Sequence, residues 1–446
     1  MPSGWTPPDD RSGRCRTTQS RGEPLWSKYS TKAVIHTLDV YGRYAFEYPY
    51  PVAISVNGPV GGMEYPMICF NGPRPETDGT YTKRTKYDLI SVIIHEVGHN
   101  FFPMIVNSDE RQWTWMDEGL NTFVQYRAEQ EWETGYPSRR GEPRMIVDYM
   151  ASDEQVPIMT GSDSLLQFSN NAYAKPATAL NILRETVMGR AQFDYAFRQY
   201  AQRWKFRRPM PADFFRTMED ASAVDLDWFW RGWFYTTDHV DIALRSVRQY
   251  VPDPGGAMAD KDAEREIRDA TPKSQSERRD ASIPKLVDAD KDLLDFYNSY
   301  DELDFTKSDA REAADRHREL TPEERALLGT KALFFVVELE NIGGLVMPVI
   351  LELEYESGKR QEVRIPAQVW RKNAERIGKL LVVDEPIVAI TLDPHLETAD
   401  TDLSNNSWPP KVQKSRFQIY KDSKPTPNPM QEAGLGDSKH DNGEAP

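Results

Sequence analysis

Apolar positions along the chain follow one period in its first half and another near its end. From Trp26, the residues Ala33, Val34, Leu38, Val40 and Tyr41 recur at near-helical spacing, which predicts a helix. PVAISV (51–56) and MICF (67–70) are short apolar runs on either side of the Gly-rich stretch NGPVGGME (57–64). They read as strands around a turn. KYDLISVIIHEVGHNF (86–101) predicts the next helix, and another starts near Trp115 and runs through MDEGLNTFVQYRAEQEW. AYAKPATALNILRETVMG (172–189) predicts a helix closed by Gly189, with Pro176 tolerated in its first turn. FDYAFRQYAQRW (193–204), PADFFRTMEDA (211–221) and DLDWFWRGWF (225–234) are shorter helical patterns.

The pattern changes after about residue 240. DIALRSVRQYV (241–251) reads as a strand, 252–285 as a flexible charged insert, and 290–329 as polar helix. From 331 the period becomes two, in ALFFVVELE, PVILELEYE, QEVRIPAQV and LLVVDEPIVAITLD, with turns at NIGG and ESGK. Short alternating strands with Gly turns predict a β-sandwich-like domain. Residues 1–26 and 421–446 are poor in apolar residues and predict disorder. The expected class is therefore α+β. A mostly helical domain covers 27–240, a connecting region 241–330, and a smaller β-sandwich-like domain 331–420.

Composition narrows the function classes. With 11 Trp, 20 Tyr and 18 Phe in 446 residues, the chain can bury a sizeable core. A net charge of −15 argues against nucleic acid as a partner, because phosphate backbones need basic patches. Cys15 and Cys69 make neither a disulfide framework nor a CxxC metal site, and both read as bystanders. No apolar run approaches the ~18 to 20 residues that span a bilayer, and the first residues lack the apolar core of a secretory signal.

Candidate chemistry centres on His95-Glu96-Val97-Gly98-His99. Residues four apart on a helix share a face, so both imidazoles can reach one ion. The rest of this helix is apolar (Leu89, Ile90, Val92, Ile93, Ile94), which predicts burial. Buried unpaired histidines and a glutamate are costly, and a metal removes that cost. HExxH alone arises by chance in roughly 1% of chains of this length, so it does not decide the matter. Glu118 adds to it. Eighteen residues separate it from His99, and it opens the next helix within Trp115-Met116-Asp117-Glu118-Gly119. His₂Glu with the fourth position left to water is a catalytic zinc set, whereas structural sites are closed.

HEVGHN followed at this interval by WMDEG resembles the gluzincin aminopeptidases, the family of membrane alanyl aminopeptidase and puromycin-sensitive aminopeptidase. Two further segments are similar to that family. Gly61-Gly62-Met63-Glu64-Tyr65-Pro66 looks like its Gly-x-Met-Glu-Asn element, and Tyr173-Ala174-Lys175 looks like its Tyr-Glu-Lys-Gly segment. The resemblance implies a thermolysin-like catalytic domain and one Zn²⁺ per chain on His95, His99 and Glu118. It implies that Glu96 is the general base and that Tyr173 stabilises the oxyanion. Gly61, Gly62 and Met63 would lie along the substrate, and Glu64 would bind its free α-amine. The implied substrates are peptides with a free N-terminus, and the implied parent is a bacterial periplasmic or secreted protein.

The sequence departs from that pattern in three places. Only about fifty residues precede GGMEYP, where the family carries a large N-terminal β-domain. Tyr65 replaces the usual Asn, and Gln125 stands where many relatives have Glu. Alternatives stay open at this point. A zinc endopeptidase on the same scaffold would cleave N-blocked peptides, and Glu64 argues against it. A non-catalytic binding or scaffolding protein would hold zinc and hydrolyse nothing. The epoxide hydrolase side activity of one branch of the family is required by no residue here.

Overall fold

In the computed structural model of the chain, which describes residues 20–252, 255–411 and 428–435, the helix expected from Trp26 runs over Leu25–Tyr44 (α1). It forms because one stripe is apolar at three-to-four-residue spacing. Trp26, Ala33, Val34, Val40 and Tyr41 are all buried along it. Cys15 and residues 1–19 lie outside the described residues. Residues 428–435 of the tail expected to be disordered are described. They form the short helix Pro429–Glu432, which Asn428 caps, and Asn428 Nδ2 also donates to Thr80 Oγ1 at 3.2 Å.

Three short strands follow, Ile54–Asn57 (β1), Gly62–Tyr65 (β2) and Ile68–Asn71 (β3), in the order β1-β3-β2. The turn expected over 57–64 is thus corrected. Its second half is the strand β2, antiparallel to β3 with Glu64 opposite Cys69, and β1 runs parallel to β3 rather than forming a hairpin with it. β2 has no apolar alternation and is largely exposed, so pattern reading misses it. Cys69 is buried in β3.

Lys83–Gly98 (α2) starts where Thr82 Oγ1 accepts from the Thr85 N–H and ends in His99, after which a wider turn covers Asn100–Ile105. Thr114–Trp132 (α3) lies against it. Gly98 makes this approach possible. A Cβ there would lie 2.3 Å from both Asn121 Oδ1 on α3 and Tyr41 Oη on α1. The first turn of α3 is anchored by Trp115, whose ring lies 4.8 Å from that of Phe234 and 5.8 Å from those of Phe214 and Phe215. This aromatic cluster, supplied by the helices Pro211–Ser222 and Arg231–Tyr235, fixes where Glu118 stands.

The helix expected over 172–189 begins at Ser169 and runs to Met188, with wide turns at both ends of its regular part, Lys175–Ile182. Strand β4 covers Ile242–Tyr250 and forms a three-stranded sheet with Leu333–Asn341 (β5) and Arg376–Val383 (β8), in the order β4-β5-β8. Val349–Tyr355 (β6), Arg360–Ile365 (β7), Ile387–Leu392 (β9) and Ser407–Trp408 (β10) form a second sheet, in the order β10-β9-β6-β7.

The chain divides into two compact units. One holds residues up to 246, 338–378 and those from 387 on; the other holds 247–337 and 379–386. In the second, the insert expected to be flexible over 252–285 contains the helices Ala257–Ala270 and Gln275–Arg279. Charge run and helix are compatible here because Arg268 pairs with Asp301 at 2.9 Å and Ser274 with Glu277 makes a capping box. The polar helix expected over 290–329 is shorter than that span and comprises Lys307–Glu319 and Pro322–Leu328. Among the described residues, no helix is long and apolar enough to cross a membrane.

Gly98→Ala is expected to destabilise the protein by about 1–3 kcal/mol, the cost of overpacking a filled core site. Gly42→Ala, where nothing stands within 4 Å of the new methyl, is expected to stabilise it by ~0.5–1 kcal/mol. Urea unfolding of the two variants checks this, and equal effects would refute the close crossing.

Candidate metal centre

The last turn of α2 and its C-cap present His95 and His99 one above the other, and α3 brings Glu118, just past its first turn, to meet them. His95 Nε2 lies 3.0 Å from His99 Nε2 and 3.1 Å from Glu118 Oε2, and His99 Nε2 lies 3.4 Å from the same oxygen. A tetrahedral ion with bonds of about 2.0–2.1 Å leaves roughly 3.3 Å between its ligand atoms, so these three atoms fit three corners of such a site. Their chemistry fits as well. His99 Nδ1 donates to the Phe102 carbonyl at 3.0 Å, which leaves Nε2 with its lone pair. His95 Nδ1 meets Gln125 Oε1 at 2.8 Å, which does the same. Two such nitrogens at 3.0 Å need a metal ion or a proton between them.

The surroundings are charged and dry. His99 is 1% exposed and Glu96 5% exposed. Burial lowers the proton affinity of His95, with His99 adding to the effect. Burial also opposes charge on His99, yet the carboxylates of Asp117 and Glu118 outweigh it and raise its pKa. Burial pushes Glu96 up to about 8, and the nearby Glu64, Glu118 and Asp117 push the same way against His99. Glu118 is pulled well below the usual range because both imidazoles outweigh its burial. Asp117 Oδ1 lies 2.9 Å from His99 Nδ1 but off the hydrogen-bond direction, which points at Phe102.

Glu96 stands directly beneath β2. A Cβ on Gly62 would lie 2.2 Å from Glu96 Oε1 and 2.7 Å from Val92 Cγ2, so a side chain there would displace the carboxylate or the valine. The other oxygen, Glu96 Oε2, is buried without a hydrogen-bond partner among the described residues. Glu64, two residues along β2, is half-buried. Its carboxylate lies within 4.8 Å of ligand atoms of both His99 and Asp117. Gly61 precedes the strand and Met63 is exposed on it.

Tyr173 lies on the other side of the centre. Its hydroxyl donates to Glu118 Oε1 at 2.6 Å, and its ring stacks on His95 at 5.7 Å. The hydroxyl expected to face a substrate oxygen thus faces the oxygen of Glu118 that is turned away from the histidines. Burial and Glu118 hold this phenol far above its ordinary pKa.

The centre includes residues that sequence reading passed over. Asn121 Nδ2 donates to the His95 carbonyl at 2.9 Å, and Tyr41 Oη donates to Asn121 Oδ1 at 2.7 Å. The Arg140 guanidinium covers the Tyr173 ring at 4.4 Å from its centroid. Glu118, Asn121, Gln125 and Glu129 follow one another at three- and four-residue intervals on α3. A polar stripe along a helix flanked by Leu120, Phe123 and Val124 was the available signal for Asn121 and Glu129. Arg140 sits in a loop and had none.

Residues 29–233, which contain every one of these groups, match the peptidase family M1 domain. The chain carries an M1 domain. Leucine aminopeptidase 2 of Aspergillus clavatus is 23% identical over 228 residues, covering 45% of this chain and 36% of the relative. Glutamyl aminopeptidase of Sus scrofa is 21% identical over 249 residues, or 50% and 25% of the two chains. Aminopeptidase B of Homo sapiens is 26% identical over 208 residues, or 43% and 28%. The chain therefore spans between a quarter and just over a third of the length of these curated relatives. Among solved structures, Legionella pneumophila aminopeptidase A in complex with aspartic acid superposes with a TM-score of 0.53 at 12% identity, covering 86% of this chain and 36% of that one. This likeness is one of fold, a mixture of helices and sheets.

The M1 domain also buries a lysine. Lys175 is 0% exposed, its Nζ donates to Gln155 Oε1, and burial pulls its amine down to about 7 against the opposing pull of Asp238. Between pH 7 and its ordinary 10.5, the unfolded chain holds one proton more than the folded chain, so this group makes stability rise with pH across that window. Lys175→Met is expected to remove this rise. The wild type should gain up to about 1.4 kcal/mol per pH unit relative to the variant between pH 7.5 and 9.5 in urea unfolding. Parallel pH profiles would contradict it.

Proposed function

We propose that the M1 domain of this chain is a zinc aminopeptidase that removes the first residue of peptides with a free N-terminus. The observation that carries this reading is the meeting of His95, His99 and Glu118 at 3.0–3.4 Å, with Glu96 beside them under an exposed edge strand. His95, His99 and Glu118 would hold one Zn²⁺ per chain. When bound, zinc supplies a Lewis acid for the scissile carbonyl and lowers the pKa of water.

This chain's own groups do the rest. The open side of β2 takes an extended peptide as a further strand through main-chain hydrogen bonds. Gly61, Gly62 and Met63 lie along that peptide, and the missing side chain at Gly62 keeps its backbone close to Glu96. The Glu64 carboxylate pairs with the substrate ammonium and thereby fixes which bond lies over the centre. Glu96 takes the proton of the attacking water and returns it to the leaving amine. Tyr173 turns its hydroxyl from Glu118 to the substrate oxygen as negative charge builds there. The same reading carries the finer fold assignment. A thermolysin-like catalytic domain covers 27–240, and a β-sandwich-like domain begins at 331 after the connecting region 241–330; of the span 331–420 expected for it, residues 412–420 lie outside the described residues.

Glu96→Gln is expected to keep its zinc and lose turnover of alanyl-naphthylamide by about 10²–10⁴-fold. Zinc analysis beside the assay separates the two, and a variant that still turns over refutes the base. Glu64→Gln is expected to lower the preference for alanyl over N-acetylalanyl substrate by about tenfold or more, the worth of one charge-assisted pair. An unchanged ratio would count against an amine anchor.

A further inference from the structure

Gln125 occupies the position on α3 from which a side chain reaches His95 Nδ1, and an amide there is ambiguous. Its oxygen would hold a proton on Nδ1, while its nitrogen would hold one on Nε2 and spoil that atom as a ligand. Orientation of an amide is settled only by its other partners. Here all of them are acceptors. Gln125 Nε2 lies 2.8 Å from Glu129 Oε1 and 3.4 Å from the Ser91 carbonyl. Turned over, the amide oxygen would face a carboxylate and a carbonyl at once. Gln125 Oε1 therefore faces His95 Nδ1 at 2.8 Å, and Nδ1 carries the hydrogen. Asn121 Nδ2 also stands 3.2 Å from this nitrogen; one of its two hydrogens goes to the His95 carbonyl at 2.9 Å, and its contact with Nδ1 is longer than the 2.8 Å contact made by Gln125 Oε1.

Glu129 has no evident structural use for its charge. It is 3% exposed, and its other oxygen accepts from Ser138 Oγ at 2.5 Å. Among the described residues no salt bridge forms with it, and burial raises its pKa against the hydrogen bonds it accepts and the more distant pull of Arg140. Burying such a carboxylate is costly, so its retention calls for a role. It lies one helical turn beyond Gln125, in line with the amide and the imidazole.

We infer that Glu129 is a positioning residue for the metal centre: it fixes the Gln125 amide, the amide fixes the Nδ1–H tautomer of His95, and that tautomer keeps Nε2 available as a ligand. The carboxylate that orients the histidine thus stands one residue further away and acts through a neutral amide. The zinc arm of the test below rests on the proposed zinc centre, and the tautomer arm does not.

Glu129→Leu removes the acceptor at similar volume, and the Gln125 amide is then free to turn. Zinc affinity, measured by competition with a chromophoric chelator, is expected to fall about 10–100-fold, the range for losing the partner of a ligand histidine. Gln125→Glu in the Glu129→Leu background places a carboxylate directly on Nδ1 and is expected to restore affinity to within a few-fold of wild type. Loss of mere packing predicts no such rescue. Unchanged affinity in Glu129→Leu overturns the inference. So does a double variant as weak as the single one at an equal melting temperature. Independently of zinc, ¹⁵N spectra of metal-free wild type are expected to show His95 protonated at Nδ1 at neutral pH. Protonation at Nε2 alone overturns the inference even if no variant folds, and a wild type that binds no zinc removes the zinc proposal without touching this arm.

Discussion

The centre depends on how closely α2 and α3 cross. His95 and His99 come from one helix and Glu118 from the other, and ligand atoms 3.0–3.4 Å apart tolerate little movement of either. Two features hold the crossing. Gly98 leaves out the side chain that would push α2 away from Tyr41 and Asn121, and Asn121 ties α3 to the backbone of His95 itself. The aromatic cluster around Trp115 holds the first turn of α3. Packing far from the chemistry thus sets the geometry of the chemistry.

This arrangement is expensive for the fold. Glu96, Asp117 and Glu129 are each no more than 5% exposed, and His99 is almost fully enclosed. A bound divalent cation would offset much of the cost at Glu118 and the two imidazoles. The rest is met by hydrogen bonds to fixed partners, such as Ser138 on Glu129, or is left unmet, as at Glu96 Oε2. An unmet acceptor beside a metal centre is poor for stability and useful for moving a proton. Local rules broken in one place and satisfied around it mark a functional site.

Much of this was legible in the sequence, and the parts that were not share a cause. HEVGHN and WMDEG could be read because helical periodicity turns spacing directly into shared faces. The helices α1, α2 and α3 begin within about three residues of where the apolar pattern predicts them. β2 was read as turn because an exposed edge strand of Gly, Met, Glu and Tyr has no buried face to leave a pattern. The charged stretch after 252 was read as flexible because composition does not register capping boxes and ion pairs such as Arg268–Asp301. Arg140 and the orientation of the Tyr173 hydroxyl depend on contacts between distant segments, which no local pattern encodes.

The most direct test of the account is X-ray absorption at the zinc edge on protein reconstituted with one equivalent of zinc. The account predicts a four-coordinate ion with nitrogen and oxygen ligands at about 2.0–2.1 Å, including the outer-shell signature of two imidazoles and no sulfur. A spectrum of hydrated or sulfur-bound zinc would contradict it.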